Sequence, residues 1–321
     1  YIDKKTLDVS DISKSILDAG SADGNVYAIC NGINAPALLY NKTLLSKNGF
    51  TVKDNMTTDE FVDLSREIYK KTGYKTNIGY NAGIQIMEYL VRAQNKVLME
   101  PGKLGVSKPE ELQQHFNLYE TGRKEGWLID AGVFTERTIG SVEQDPLVYG
   151  SKPAERSWCF FSYSNQLVAT TKAAKDIEIG ITTYPSDDPK VSDYLKPSQF
   201  FCVAANSKNA DEAVKVINYI TNSEKCNDIL LGERGVPASA KIAKSIAPKL
   251  GETDQTIISF INNVVTPNST TINPPPPDGS TEVTNEQKQL EEQLCYGKIT
   301  AAQAAQKLFT DGNQILKSKA K

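Results

Sequence analysis

The densest group of side chains able to do chemistry is the run Trp158-Cys159-Phe160-Phe161-Ser162-Tyr163-Ser164-Asn165-Gln166. Aromatic faces stack on the C–H surfaces of sugars, and Asn and Gln amides both donate to and accept from hydroxyls. Phe200, Phe201 and Tyr184 add rings in other segments without helical periodicity. For any one ring the ordinary core reading is favoured over the ligand platform. Taken together the run favours a carbohydrate site, because amides inside an aromatic core are costly unless they find partners. The expectation is that Trp158 faces the ligand. Of Asn165 and Gln166, one contacts the ligand and the other caps or bridges local backbone.

Other chemistries lack their residues. The chain has no phosphate-binding glycine loop, no GxSxG nucleophile turn and no HExxH. Its single histidine, His115, argues against histidine-dependent triads and is read as a packing residue. The five cysteines are widely spaced without a CxxC pair, so a zinc knuckle or disulfide framework is not expected. Asp187-Asp188 reads as an exposed turn and Glu291-Glu292 as a solvated helix face. No motif pairs the two carboxylates that a glycoside hydrolase needs. No cofactor and no metal are therefore expected. A net charge of -3, from 36 basic and 39 acidic residues, argues against a nucleic-acid partner. No run approaches the ~18 apolar residues of a membrane span.

The elements that position these residues alternate between strand and helix, an α/β pattern in a chain of 321 residues, enough for two domains. Strands are expected over 25–30, 37–40, 177–182 and 199–205. Thr57 and Glu60 spell a capping box, as do Thr300 and Gln303. Ser107-Lys108-Pro109-Glu110 opens another helix, which buries Leu112, Phe116 and Tyr119. A helix after residue 209 is expected to bury Ala213, Val216, Ile217 and Ile220. Residues 256–265 read as helix, as do 284–295. Pro274 to Pro277 force an extended segment.

Further residues carry a resemblance. Asp23-Gly24-Asn25-Val26-Tyr27-Ala28-Ile29, then Leu39-Tyr40-Asn41-Lys42-Thr43-Leu44-Leu45 and Asn48-Gly49-Phe50, are similar to a signature of the extracellular solute-binding proteins of ABC sugar importers, the maltose-binding-protein group. Residues 57–68, Ile179-Gly180-Ile181 with Tyr184-Pro185, 202–207, Gly235-Val236-Pro237 and 296–304 resemble later motifs of that family in its order. Cys30 stands where the family usually has Pro.

The resemblance implies a bilobal α/β fold of the periplasmic-binding-protein kind, with a multi-crossing hinge and an interlobe ligand cleft. Lobe 1 would be 1–34 and 204–248, and lobe 2 would be 35–203 and 249–321. Only 22 residues precede Asp23, so lobe 1 is expected to lack its N-terminal part, with apolar positions such as Val26, Ala28, Val216 and Ile220 bordering an exposed patch. The implied ligand contacts are Asn34, Trp158, Tyr163, Asn165, Gln166, Gly279, Ser280 and Gln85. The implied function is non-enzymatic: capture of a sugar or oligosaccharide and its delivery to an ABC permease. A polyol or polyamine is the alternative solute, and a carbohydrate-active enzyme the rival class. The protein would be a monomer outside the cytoplasm, either periplasmic or a cell-surface lipoprotein.

Overall fold

The computed structural model describes residues 1–79, 83–232 and 235–320. Two three-stranded sheets are built from β1 (Ile29–Asn34), β2 (Pro36–Asn41), β3 (Cys159–Tyr163), β4 (Ile179–Thr182), β5 (Lys196–Phe201) and β6 (Val236–Pro237). The helices used below are α1 (Thr58–Thr72), α2 (Ile84–Arg92), α3 (Glu110–Glu125), α4 (Gln166–Ala173), α5 (Ala210–Asn222), α6 (Glu224–Leu230), α7 (Glu252–Ser259), α8 (Ser280–Cys295) and α9 (Ala301–Lys319). Among the described residues no helix is long and apolar enough to cross a membrane.

The chain forms two compact units. Unit 1 comprises 1–36, 163–168 and 193–274; unit 2 comprises 37–162, 169–192 and 275–321. Residues 193–203 and 249–274, which the resemblance assigns to lobe 2, thus pack within unit 1. The cause is visible in the pairing: β5 lies antiparallel against β1, and the Thr270 amide donates to the Asp193 carbonyl.

Unit 1 is organised by the sheet order β6-β1-β5. The central strand β1 is buried from Ile29 to Ile33, as a strand flanked on both edges should be. The strand expected over 199–205 instead stops at Phe201. Phe201 pairs with Ile29, the first residue of β1, so later residues have no partner on that strand. Gly235 approaches β1 so closely that a Cβ would lie 3.1 Å from the Ile33 carbonyl oxygen, and its φ of 102° suits glycine. Helix α5 buries Val214, Ile217 and Thr221. Val216 is 57% exposed, contrary to the expected face; Val26 and Phe200 also lie open, at 38% and 43%.

Unit 2 holds the sheet order β3-β2-β4 and most of the helices. Its aromatic core gathers Phe61 of α1, Trp158, Phe161 and Tyr184, with Phe61 5.7 Å from Trp158 and Phe161 4.8 Å from Tyr184. The capping box at α1 is complete: Thr57 Oγ1 accepts from the Glu60 amide (3.2 Å) and Glu60 Oε2 from the Thr57 amide (2.9 Å). Thr57→Ala removes one half of it and is expected to cost about 1 kcal/mol in urea unfolding. A change within error would show the cap to be dispensable.

At α3 the expected start gives way. No side chain caps the helix, and the Ser107 amide donates to Glu111 Oε2 instead. Helices α3, α8 and α9 pack together, and this corrects the reading of Glu291. That residue is fully buried, with its Oε1 2.5 Å from His115 Nε2; only Glu292 meets solvent.

Candidate functional site

A pocket of about 460 Å³ opens in unit 1. Its walls come from the end of β1 (Asn34), the start of α4 (Asn165, Val168), β5 (Ser198, Gln199) and the turn into β6 (Gly235, Val236, Pro237). Leu231, Gly232, Leu250 and the α7 residues Asp254, Ile257 and Ile258 complete the described lining.

Local bonding explains why two residues 131 positions apart in the sequence meet here. The Ser164 amide donates to the Ala35 carbonyl (2.8 Å), and Ser164 Oγ accepts from the Ala35 amide (3.1 Å). That reciprocal pair pins segment 163–168 to the end of β1 and sets Asn165 beside Asn34. Among the described residues Asn34 Oδ1 is buried without a hydrogen-bond partner. A buried acceptor left unmatched is costly, so it is a place for a donor from a bound molecule. Asn165 is exposed, and among the described residues its amide has no hydrogen-bond partner. On the strand side, Ser198 Oγ donates to the Gly32 carbonyl (2.7 Å). Most of the remaining described lining is aliphatic, from Val168, Leu231, Val236, Pro237, Leu250, Ile257 and Ile258, with Gln199 and Asp254 as its polar members. Together the Asn34 and Asn165 amides offer hydrogen bonds beside an apolar wall, the surface that a polyhydroxylated ring presents in reverse.

The other expected contacts lie elsewhere. Trp158 is 0% exposed in unit 2, and its indole N–H donates to Thr76 Oγ1 (2.8 Å). The ring expected at the ligand is therefore a core residue, because Phe61 covers it and Thr76 satisfies its one polar group. Tyr163 belongs to unit 1, but its ring face is taken by the Lys196 ammonium at 4.2 Å. Its hydroxyl lies 3.4 Å from that of Tyr194. Gln166 is half-buried in the first turn of α4 and is not among the described lining residues of the pocket. Gln85 sits half-buried on α2 in unit 2. Gly279 and Ser280 begin α8 in unit 2, where a Cβ on Gly279 would meet Lys319 and Leu316 of α9.

Sequence reasoning missed Ser198, Gln199 and Asp254. Gln199 opens a segment read only as a strand, and Ser198 lies just before it. Asp254 lies just before the 256–265 segment, which is read only as a helix. Gly235-Val236-Pro237 is legible as a motif, yet its place on the pocket wall depends on the β6–β1 pairing. Among the described residues no group of three or more potential ligands is placed to hold a metal ion. The cysteines are unbridged: Cys30 and Cys159 are buried, Cys226 and Cys295 half-buried, and Cys202 exposed.

A family model described as "Bacterial extracellular solute-binding protein" matches residues 2–253. An extracellular solute-binding protein family 1 structure from Alicyclobacillus acidocaldarius aligns at TM-score 0.86 with 23% identity, covering 98% of this chain and 78% of that one. A periplasmic oligogalacturonide binding protein from Yersinia enterocolitica aligns at 0.77 and 17%, covering 99% and 79%. The acarbose-binding GacH receptor of Streptomyces glaucescens aligns at 0.65 and 16%, covering 98% and 77%. At these identities the structural matches establish a shared fold, while the ligand of each belongs to that protein.

Proposed function

The chain belongs to the bacterial extracellular solute-binding proteins, and from that premise we propose that it captures a sugar or oligosaccharide in the unit 1 pocket and delivers it to an ABC permease. The observation that carries the reading is the presence of Asn34 and Asn165 on the lining of one pocket, with a buried Asn34 oxygen left unmatched among the described residues. Amides over an aliphatic floor suit a ring with polar hydroxyls and apolar C–H faces. Two of the structural relatives are an oligogalacturonide binding protein and a receptor that binds acarbose, which supports the carbohydrate class. A polyamine fits less well, because it calls for several carboxylates and aromatic faces around each ammonium. The described lining offers one carboxylate and no ring.

On this reading the protein acts as a binder rather than an enzyme. It works as a monomer outside the cytoplasmic membrane, free in a periplasm or held by a lipid. Titration calorimetry against a panel of mono- and oligosaccharides tests it. Asn34→Ala and Asn165→Ala should each weaken the best binder by about tenfold, the loss of one or two polar contacts. Melting temperatures should stay within a few degrees of the parent. Unchanged affinity in both variants would take the pocket out of the site.

A further inference from the structure

Asp254 is the only formally charged side chain among the described lining residues of the pocket. It sits in the first turn of α7, beside Ile257 and Ile258 of the same wall. A carboxylate there is compatible with the helix dipole, which alone would explain its presence. Its position in a partly apolar pocket asks for more. Among the described residues it pairs with no cation and accepts no hydrogen bond. Lys249, the nearest basic residue along the chain, is bound to Asp228 at 2.5 Å. Lys196, on the neighbouring strand, is placed over the Tyr163 ring. Glu233 and Arg234 lie outside the described residues.

A solute that fills this pocket displaces water from the carboxylate. An uncompensated charge then becomes expensive, and a second negative charge more so. A hydroxyl relieves part of that cost through a charge-assisted hydrogen bond. An ammonium relieves more, because it supplies donors and cancels the charge. The orphaned Asn34 oxygen in the same pocket also calls for a donor and adds to the same preference.

We infer that the pocket ranks carbohydrates by charge, taking an amino sugar ahead of its N-acetylated counterpart and either of them ahead of a uronide, with Asp254 as the discriminating residue. This rests on the carbohydrate reading above and adds to it a class of ligand. It also separates this chain from its structural relative that binds oligogalacturonide.

Calorimetry with glucosamine disaccharide, its di-N-acetylated form and digalacturonic acid tests the ranking at about pH 6, where much of the amine is protonated. The amino sugar should bind about tenfold more tightly than the acetylated form. Its affinity should fall as salt is raised, a readout that needs no variant. Asp254→Asn should bring the two affinities together, mainly by weakening the amino sugar, while circular dichroism confirms an unchanged fold. Equal affinities in the parent protein, or a preference for digalacturonic acid, would overturn the role of Asp254 and leave the carbohydrate reading standing. No binding of any saccharide in a broad panel would overturn both.

Discussion

Replacing Trp158 with alanine is expected to lower the free energy of unfolding by about 3–5 kcal/mol, the range for large aromatics removed from a closed core. The ring is fully enclosed and lies 5.7 Å from Phe61, in the same cluster as Phe161 and Tyr184. Its main chain is tied on both sides: the Trp158 amide donates to Lys75 O (2.9 Å) and its carbonyl accepts from the Asn41 amide (2.8 Å). Alanine leaves those bonds but opens a cavity between α1 and the sheet. Trp158→Phe should cost less, about 1–3 kcal/mol, because it keeps much of the volume and mainly strips Thr76 Oγ1 of its donor. Urea titrations followed by circular dichroism measure both losses. Calorimetry well below the melting temperature should find saccharide affinity unchanged in the folded variant. A tenfold loss of affinity with stability preserved would return Trp158 to the binding site.

Helix starts were the most legible part of the fold, because a capping box is satisfied within four residues. Thr57 with Glu60 and Thr300 with Gln303 both form as their spacing dictates. Non-local choices were not legible. Apolar residues occupy more than half the circumference of α5, so periodicity cannot decide which side meets the sheet. The structure selects Val214, Ile217 and Thr221 and leaves Val216 open. Glu291 shows the same limit for a charge. Its neighbours along α8 suggest a solvated face, but α3 brings His115 against it from 176 residues away.

The site divides along the same line. Stacking on a sugar and packing in a core use the same property of an aromatic ring, so the run from Trp158 to Tyr163 could not choose between them. What decides is Phe61, on a helix roughly a hundred residues earlier, and Lys196, which occupies the Tyr163 face. Asn34 and Asn165 were named for separate reasons, one from the resemblance and one from its place after the rings. Their juxtaposition depends on the Ser164–Ala35 pair, which no local spacing announces. Asp254 had no signal at all: an acidic residue in a first helical turn is ordinary, and only the pocket makes it notable.

The second large effect is a dependence of stability on pH. Glu88 of α2 is pushed from its ordinary 4.5 up to about 7, chiefly by burial, with the charge of Arg92 opposing. Arg92 gives little relief because its guanidinium is engaged elsewhere, donating to the Ser192 carbonyl at 3.0 Å. The folded chain therefore holds the Glu88 proton between pH ~4.5 and ~7, where the unfolded chain has released it, so stability falls as pH rises through that window. A shift of this size corresponds to roughly 3 kcal/mol once the carboxyl is charged in both states. Asp145, raised to about 7 by burial, and Glu291, raised by burial against the pull of His115, act in the same direction. Exposed carboxylates such as Glu60 and Glu125, held down by Lys53 and Arg66, oppose them only at lower pH. The stability maximum should thus lie near pH ~5 and decline toward pH 8. Glu88→Gln keeps the shape and removes the charge. Urea unfolding at pH 8 should find this variant more stable than the parent by up to roughly 3 kcal/mol, with the two nearly equal at pH 4.5. Parallel pH profiles for the two proteins would mean that Glu88 is already ionised, and adequately solvated, in the folded chain.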